Sequence, residues 1–228
     1  MTWGFEIKNA SGAVVVDDVY PQMHKIEGGS AASTAFARGF TGFVSFSRSI
    51  TNPVLFIRCA INCYFAIGVI SATGFTYTSA AALDWIVFEG APAAHVTSGY
   101  GLVVYGSAGE VLFDASKSFP VITQQSVAMT SGDTADLKGV DEVLRTITHS
   151  TTAFDGGYPY VSAVTFMQSH YWVGSGGAFA HNVCGRFLST TSLEISVKVC
   201  ANAGSGNPNF ITNFFRSGQK PRDVLFSK

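Results

Sequence analysis

The chain has 228 residues, of which 47% are hydrophobic and only 13% charged, and its formal net charge is −1. Disorder requires the opposite balance of few apolar and many charged residues, so the composition excludes it. Long basic or acidic runs are absent, which argues against a nucleic-acid partner. A charged fraction well below the usual ~25% leaves little charge to keep an isolated monomer soluble, and therefore favours a subunit of an assembly.

The chain opens on a predicted β-hairpin that recurs in its second half. In Gly4–Asp17, two short runs rich in apolar and β-branched residues flank Asn-Ala-Ser-Gly, and Gly101–Asp114 repeat this pattern around Gly-Ser-Ala-Gly. The glycines suit strand entry and turn, and the aspartates are predicted to accept hydrogen bonds from turn amides. The identical residues, all at an offset of 97, are Gly4 and Gly101, Gly12 and Gly109, Val14 and Val111, and Asp17 and Asp114.

A third strand is predicted after each hairpin, from Val19–Ile26 and from Phe119–Gln125. Residues 3–26 and 100–122 would then superpose as two three-stranded meanders. The alternative is chance similarity, because hairpins share a small set of residue types. We predict a duplicated β-meander and two β domains, 1–98 and 99–228, each opening with one hairpin repeat.

Short apolar or alternating runs predict further strands in the first half. The stretch Val54–Ile70 is almost continuously apolar and approaches the length that crosses a bilayer. Arg58 within it and Pro53 before it favour two adjacent buried strands with a bend, and no membrane span. The predicted strands are Phe36–Ser49, Val54–Ile57, Tyr64–Ile70, Phe75–Thr78 and Leu83–Glu89.

The second half repeats this plan less clearly. Leu137, Val140 and Leu144 have helical spacing, so one short helix is allowed within Asp133–Arg145, although Gly139 weakens it. The low charge and many short strands predict an all-β protein of stacked antiparallel sheets, sandwich-like, with at most that one helix. The predicted strands are Ser126–Thr130, Tyr160–Phe166, Gly185–Ser189, Leu193–Val199, Ile211–Phe215 and Asp223–Phe226, and Ala201–Asn209 is predicted as a long turn.

The four cysteines are predicted to be thiols. Cys59 and Cys63 are four residues apart, about 13 Å along one strand, which is too far to bridge. Cys184 and Cys200 flank a predicted hairpin near Ser189–Ser192, so a disulfide between them is the alternative. The first residues lack the pattern of a signal peptide, and a reducing compartment favours four thiols.

Motifs for catalysis or metal binding are missing from the sequence. The histidines form no close-spaced pair and the cysteines no repeated short spacer, so we expect neither metal nor cofactor. The adjacent Asp17 and Asp18 could serve acid–base chemistry, but a structural role at a strand end is favoured. The Gly-rich Trp172–Gly177 has no lysine, and no nucleophile elbow is present. We therefore expect a protein that is not an enzyme.

One region has a composition typical of recognition surfaces. Between Asp155 and His181, aromatic side chains are interleaved with glycines, as in surfaces that display rigid aromatic contacts on adaptable loops. The alternative is that these aromatics pack in the core or in a subunit seam. The candidate receptor or partner contacts are Tyr158, Tyr160, His170, Tyr171 and Trp172.

The hairpin signature resembles the repeats of a poorly characterised family of tailed-bacteriophage and prophage proteins, encoded among tail-tip, baseplate and fibre genes. The matching residues are Trp3–Gly12 with Val14–Asp17, and Tyr100–Tyr105 with Gly109 and Val111–Asp114, with Gly106 in the second copy where the first has Asn9.

The resemblance implies a structural component of a tail tip or baseplate, made in the host cytoplasm and located in the virion. It would contact other tail or baseplate proteins, and link the tail tube to fibres or receptor-binding parts. The resemblance also implies a homotrimer, whose two meanders per chain would match a sixfold tube. The alternative is an adhesin module for host attachment, which binds a surface glycan or receptor through the aromatic region, and a hydrolase is less favoured than either.

Overall fold

The computed structural model describes residues 6–8, 14–17, 23–34, 40–89, 102–106, 108–115, 122–126, 142–148, 159–167, 169–174, 177–203 and 224–227. These residues form β-strands and one 3-10 helix, Ala163–Phe166. The strands are β1 Glu6–Lys8, β2 Val14–Asp17, β3 His24–Ala31, β4 Gly42–Ser45, β5 Pro53–Cys59, β6 Tyr64–Ser71, β7 Gly74–Ser79, β8 Leu83–Glu89, β9 Val103–Tyr105, β10 Val111–Asp114, β11 Ile122–Ser126, β12 Glu142–Thr148, β13 Tyr160–Ser162, β14 Ser169–Gly174, β15 Gly177–Ser189, β16 Ser192–Ala203 and β17 Val224–Ser227.

Two large antiparallel sheets stack around one core. The six-stranded sheet has the order β11-β17-β13-β5-β8-β3, and the seven-stranded sheet has the order β12-β16-β15-β6-β7-β4 with β14 beside β15. Apolar side chains of both sheets form a single buried cluster. Phe75 of one sheet and Trp85 of the other, for example, meet with ring centroids 5.7 Å apart. The prediction of an all-β, sandwich-like fold is confirmed.

Alternation along the strands explains why the sheets stack. Successive side chains of a strand point to opposite faces, so one face can be apolar while the other carries polar groups. In β8, Leu83, Trp85 and Val87 belong to the core cluster, whereas Asp84 lies on the outer face, where Arg58 contacts it. The apolar run Val54–Ile70 forms β5 and β6, which lie in different sheets and are joined by a turn with Asn62 at φ 62°. Among the described residues, no helix has the length and apolar character needed to cross a membrane.

The two predicted hairpins form with the same geometry. Each is a separate two-stranded sheet, β1 with β2 and β9 with β10. In the first, Ile7 pairs with Val16 and Lys8 with Val14; adding 97 to each number gives the pairs of the second. The register shift therefore falls at the same place in both hairpins. Gly109 has φ +82°, as the turn prediction requires, whereas Gly4, Gly12 and Gly101 lie outside the described residues.

The prediction that each hairpin continues into a third strand of the same meander is wrong. The next strands, β3 and β11, instead pair with β8 and β17 at opposite edges of the six-stranded sheet. An isolated small meander is marginally stable, whereas a strand that joins a six-stranded sheet belongs to a stack with an apolar core, which favours this pairing. The repeat persists nonetheless, because β3 is irregular between Lys25 and Glu27 and β11 between Ile122 and Gln124, again at an offset of 97.

The order of the described strands shows that the repeat extends through both large sheets. Each sheet reads as a palindrome in which β3, β5 and β8 correspond to β11, β13 and β17, and β4, β6 and β7 to β12, β15 and β16. At the centres, β5 pairs antiparallel with β13 and β6 with β15, while both halves face the same core. The halves are therefore related by a local two-fold axis normal to the sheets. Strand β14 has no counterpart among the described first-half strands.

This symmetry bears on two sequence-based expectations. The predicted boundary between residues 98 and 99 lies in 90–101, outside the described residues, and on either side of it the halves share both sheets and the core. The expectation that the two repeats of a trimer would match a sixfold tube stays a prediction. Within the sandwich, the strands that correspond between the halves run in opposite directions at the centre of each sheet.

Three local predictions also need correction. The helix allowed within Asp133–Arg145 is not formed at its end, because residues 142–145 lie in β12. Pairing with β16 and the β-branched Thr146-Ile147-Thr148 favour a strand there. Residues 133–141 lie outside the described residues. The predicted strand Tyr160–Phe166 ends at Ser162 and continues as the 3-10 helix. Ala201–Ala203 extend β16 rather than forming a turn, because β15 continues beside them.

The register of β15 and β16 argues against the disulfide alternative. Cys184 lies opposite Ser196, so Cys200 is displaced by four residues, about 13 Å along the strand. The Cys184 thiol instead donates to the Asn182 carbonyl at 3.3 Å. Cys59 and Cys63 are also thiols, and burial raises the pKa of Cys59. The predicted thiol state therefore holds for these three residues.

Candidate functional site

The two halves meet at a seam, which we define as the pairs β5–β13 and β6–β15. Each pair crosses the local two-fold axis at the centre of one sheet. Within the described strands the seam is short, because Ile57 and Phe56 alone pair with β13, and Phe65 and Tyr64 alone pair with β15. Side chains on the outer faces of the sheets strengthen it with one ionic cluster on each side of the sandwich.

On the six-stranded sheet, the cluster consists of Arg58, Asp84 and Tyr160. Arg58 and Asp84 lie opposite each other on β5 and β8, and the guanidinium donates to the carboxylate at 3.0 Å. The same guanidinium lies 4.5 Å from the ring centroid of Tyr160, which belongs to the second half. Burial raises the pKa of Tyr160, although the charge of Arg58 opposes the shift. A first-half arginine thus holds a second-half tyrosine across the seam.

On the seven-stranded sheet, an arginine, a carboxylate and a tyrosine again form a cluster, with the halves exchanged. Arg186 and Glu194, opposite each other on β15 and β16, form an ion pair of 2.7 Å. Tyr64 of the first half donates its hydroxyl to Glu194 at 3.1 Å and lies 4.6 Å from the Arg186 guanidinium. Lys198 approaches the same ring at 4.4 Å. The hydrogen bond to Glu194 raises the pKa of Arg186.

These two clusters are better suited to holding the two halves of the chain together than to catalysis. Their arginines, carboxylates and tyrosines are engaged with one another, and a guanidinium on an aromatic ring adds attraction without requiring a substrate. In the described part of the chain, no group of three or more histidines, cysteines, aspartates or glutamates is placed to hold a metal ion. The sequence analysis missed both clusters, because Tyr64 and Glu194 are 130 residues apart.

The predicted contact residues fall into different parts of the structure. Tyr160 lies at the seam against Arg58. His170, Tyr171 and Trp172 lie on β14, the strand that breaks the internal symmetry, whereas Tyr158 is outside the described residues. The structure therefore separates Tyr160 from the three residues on β14. Of the predicted strand-end aspartates, Asp17 ends β2, and Asp114 ends β10 and is buried.

Strand β14 forms an arm, which we define as Ser169–Gly174 with residues 177–182 of β15 and 198–203 of β16. Along β15, Gly185 and Arg186 pair with β6, whereas residues 177–182 pair with β14. Six residues of strand span about 20 Å. In the ladder, His170 lies opposite His181 and Trp172 opposite Phe179, so these four positions share one face of the arm.

Glu89 anchors the loop after β4, which the sequence analysis also missed. Its buried carboxylate accepts hydrogen bonds from the Arg48 guanidinium at 2.6 Å and from the Thr51 amide at 2.7 Å. His24 Nε2 lies 3.7 Å from the same carboxylate. The hydrogen bond from Arg48 is the largest of the effects that together lower the pKa of Glu89 below its usual 4.5, against the opposing effect of burial.

We expect this carboxylate to give the protein an acid-sensitive stability. A lowered pKa in the folded state means that Glu89 stabilises the fold fully above pH 4.5, and that this contribution disappears as the pH falls through the lower folded-state pKa. Urea unfolding from neutral to acid pH should give a stability that falls less steeply for Glu89→Gln than for the wild type. Glu110→Gln is the control, because its carboxylate bonds an exposed turn amide, Ala108. Equal acid slopes for wild type and Glu89→Gln would contradict the expectation.

The chain was compared with protein-family models, curated proteins and solved structures. None of the three comparisons gives a match.

Proposed function

We propose that this chain is a structural component of the tail tip or baseplate of a tailed bacteriophage, assembled as a homo-oligomer. The duplicated hairpin carries the proposal. The residues that resemble the phage tail family form two hairpins with the same strand bounds, the same register and the same irregularity at an offset of 97. The shared geometry supports the view that the signature is one repeated unit.

The rest of the molecule is compatible with a virion component that has to withstand mechanical force. One core spans both halves, and an ionic cluster on each outer face joins them. With only 13% charged residues, the chain also suits the large apolar interfaces of obligate assemblies. We propose a homotrimer, as the family resemblance implies, which contacts other tail proteins in the virion.

Locating the chain on particles tests the proposal. Phage that carry an epitope-tagged copy should bind gold-labelled antibody at the tail tip in negative-stain images, and untagged phage provide the background. Label on the capsid, or its absence from intact particles that retain infectivity, would refute a tail-tip role.

A host-receptor or glycan adhesin is the second candidate, because the arm interrupts the internal symmetry at the positions of His170, Tyr171 and Trp172. If the arm binds a receptor, Trp172→Ala should weaken attachment to host cells while the native mass stays unchanged. Val173→Ala, on the other face of β14, is the matched control, and loss of assembly in Trp172→Ala would instead assign this residue to packing.

A further inference from the structure

Strand pairing divides the two large sheets into halves that are complete apart from the seam. In the first half, β5 pairs with β8 and β8 with β3, while β6 pairs with β7 and β7 with β4. The second half contains the corresponding ladders, with β14 added beside β15. Among the described strands, β5–β13 and β6–β15 are the only ladders that join one half to the other. Separating the halves would therefore leave every other described ladder intact.

The surfaces that meet at the seam are apolar and need a partner. Phe65 of the first half is fully buried, and its ring centroid lies 4.9 Å from that of Phe166 and 6.1 Å from that of Phe187, both in the second half. Ile57 and Val161, which lie opposite each other across the seam, are fully buried as well. A half without its complement would expose these side chains to water, and contiguous apolar patches drive association. A chain whose halves have separated therefore pairs again.

The contacts across the seam do not require that both halves belong to one chain. The Arg58 guanidinium lies over the Tyr160 ring, and the Asn62 amide donates to the Phe187 carbonyl at 2.7 Å. A second copy carries the same residues, so its second half offers the same contacts to the first half of its neighbour. The seam also has the form of an interface between identical chains, because corresponding strands pair antiparallel about a two-fold axis.

The connection between the halves is long enough for such an exchange. Strand β8 ends at Glu89 and β9 begins at Val103, so residues 90–102 join the halves. A stretch of this length can span at most about 45 Å. The three strands that each half contributes to the path of a large sheet are about 15 Å wide together, because neighbouring strands lie almost 5 Å apart. The second half can therefore move away from the first by more than this width.

We propose that two copies of this chain exchange halves, so that each seam is formed by the first half of one copy and the second half of the other. The reciprocal dimer contains two sandwiches, and its seams bury the same side chains as the seam of the monomer. Exchange of identical elements is a low-cost route to a dimer, because it uses an interface that already exists. The balance between monomer and reciprocal dimer then depends on protein concentration. This inference is independent of the proposed function.

A disulfide across the seam records whether the paired halves belong to one chain or to two. Arg58→Cys with Tyr160→Cys places two thiols opposite each other, because the register of Ile57 with Val161 continues to these positions. Opposed residues of an antiparallel pair have Cα atoms about 4.5–5.5 Å apart, within the range of a disulfide. The full-length variant is refolded from urea at several protein concentrations, oxidised, and run on a denaturing gel without reductant.

We expect a covalent dimer from this variant. Its ratio to the monomer should rise about tenfold for each tenfold increase in the refolding concentration, as long as the monomer predominates. Arg58→Cys with Asp84→Cys is the matched control, because it places the same thiol opposite a residue of its own half and keeps the native cysteines. Monomer bands alone from the seam pair, or equal shares of dimer from both pairs, would overturn the proposal.

Thermal unfolding checks that each variant is folded. If the first seam variant does not fold, Tyr64→Cys with Arg186→Cys places the disulfide across the seam of the other sheet, and the same outcomes decide. The gel also separates this inference from the proposed function. A trimer without exchange closes every seam disulfide within one chain and gives monomer bands, which overturns the exchange and leaves the proposed assembly intact.

Discussion

Replacing Glu194 with alanine is expected to lower the free energy of unfolding by about 3 kcal/mol. The Glu194 side chain is only 5% exposed, and it binds both Arg186 and the Tyr64 hydroxyl. Removing the Glu194 carboxylate leaves the Arg186 guanidinium beside the Tyr64 ring without the negative charge that balances it, and it leaves a cavity where the carboxylate was. The partial exposure of Arg186 lets water compensate in part, so the loss lies near the lower end of the range for broken buried pairs.

The cluster on the other sheet supplies the matched control. Asp84→Ala removes the carboxylate that corresponds to Glu194, but Asp84 is 39% exposed, so solvent already screens its attraction to Arg58. We expect a loss below about 1 kcal/mol. Urea unfolding of both variants measures the contrast. Equal losses would contradict the view that burial decides the strength of these clusters.

A double variant identifies the source of the Glu194 effect. If the unpaired Arg186 causes the loss, then Arg186→Met in the Glu194→Ala background should recover part of the stability, since a well-packed apolar residue needs no partner. Additive losses in the double variant would show instead that the two side chains act independently.

The hairpins were predictable from the sequence because their determinants are local. A turn glycine and β-branched runs fix a hairpin within about fifteen residues, and Gly109 at φ +82° is the turn residue that the pattern predicts. The core strands β5 to β8 were predictable for the same reason, since each is a short apolar or alternating run such as Leu83–Glu89.

The pairing of strands was not predictable, because the difference in residue number between corresponding strands of the two halves increases along the chain. Strand β4 begins at residue 42 and β12 at 142, an offset of 100, whereas β8 begins at 83 and β17 at 224, an offset of 141. The extra strand β14 and the longer β15 and β16 contribute to this growth. A constant offset of 97 therefore ends after β11, and the sequence shows a repeated hairpin where the structure shows a repeated fold.

The candidate site depends on this long-range pairing. Arg58 could be recognised as an obstacle to a membrane span, but its contact with Tyr160 follows only from the pairing of β5 with β13. Likewise, the aromatic region looked like one surface in the sequence. The structure separates Tyr160 at the seam from Trp172 on the arm, because β13 and β14 belong to different sheets.

Adding a single methyl group at Gly185 is expected to destabilise the seam strongly. Gly185 lies opposite Phe65, and a Cβ there would collide with the Phe65 ring and lie 2.8 Å from the ring of Phe166. Both rings are fully buried with centroids 4.9 Å apart, so neither can move without disturbing the core. We expect Gly185→Ala to cost about 3 kcal/mol, at the upper end of what overpacking a core usually costs.

Gly109→Ala separates this steric effect from the backbone preference of glycine. Its added Cβ meets nothing within 4 Å, so only the strain at φ +82° should appear, on the order of 1 kcal/mol. A rescue variant then tests the mechanism at the seam. Phe166→Leu opens space beside the new methyl group, so Gly185→Ala should cost less in that background than alone. If the cost is the same in both backgrounds, the Phe166 ring does not limit the seam, and the requirement for glycine must come from the contact with Phe65.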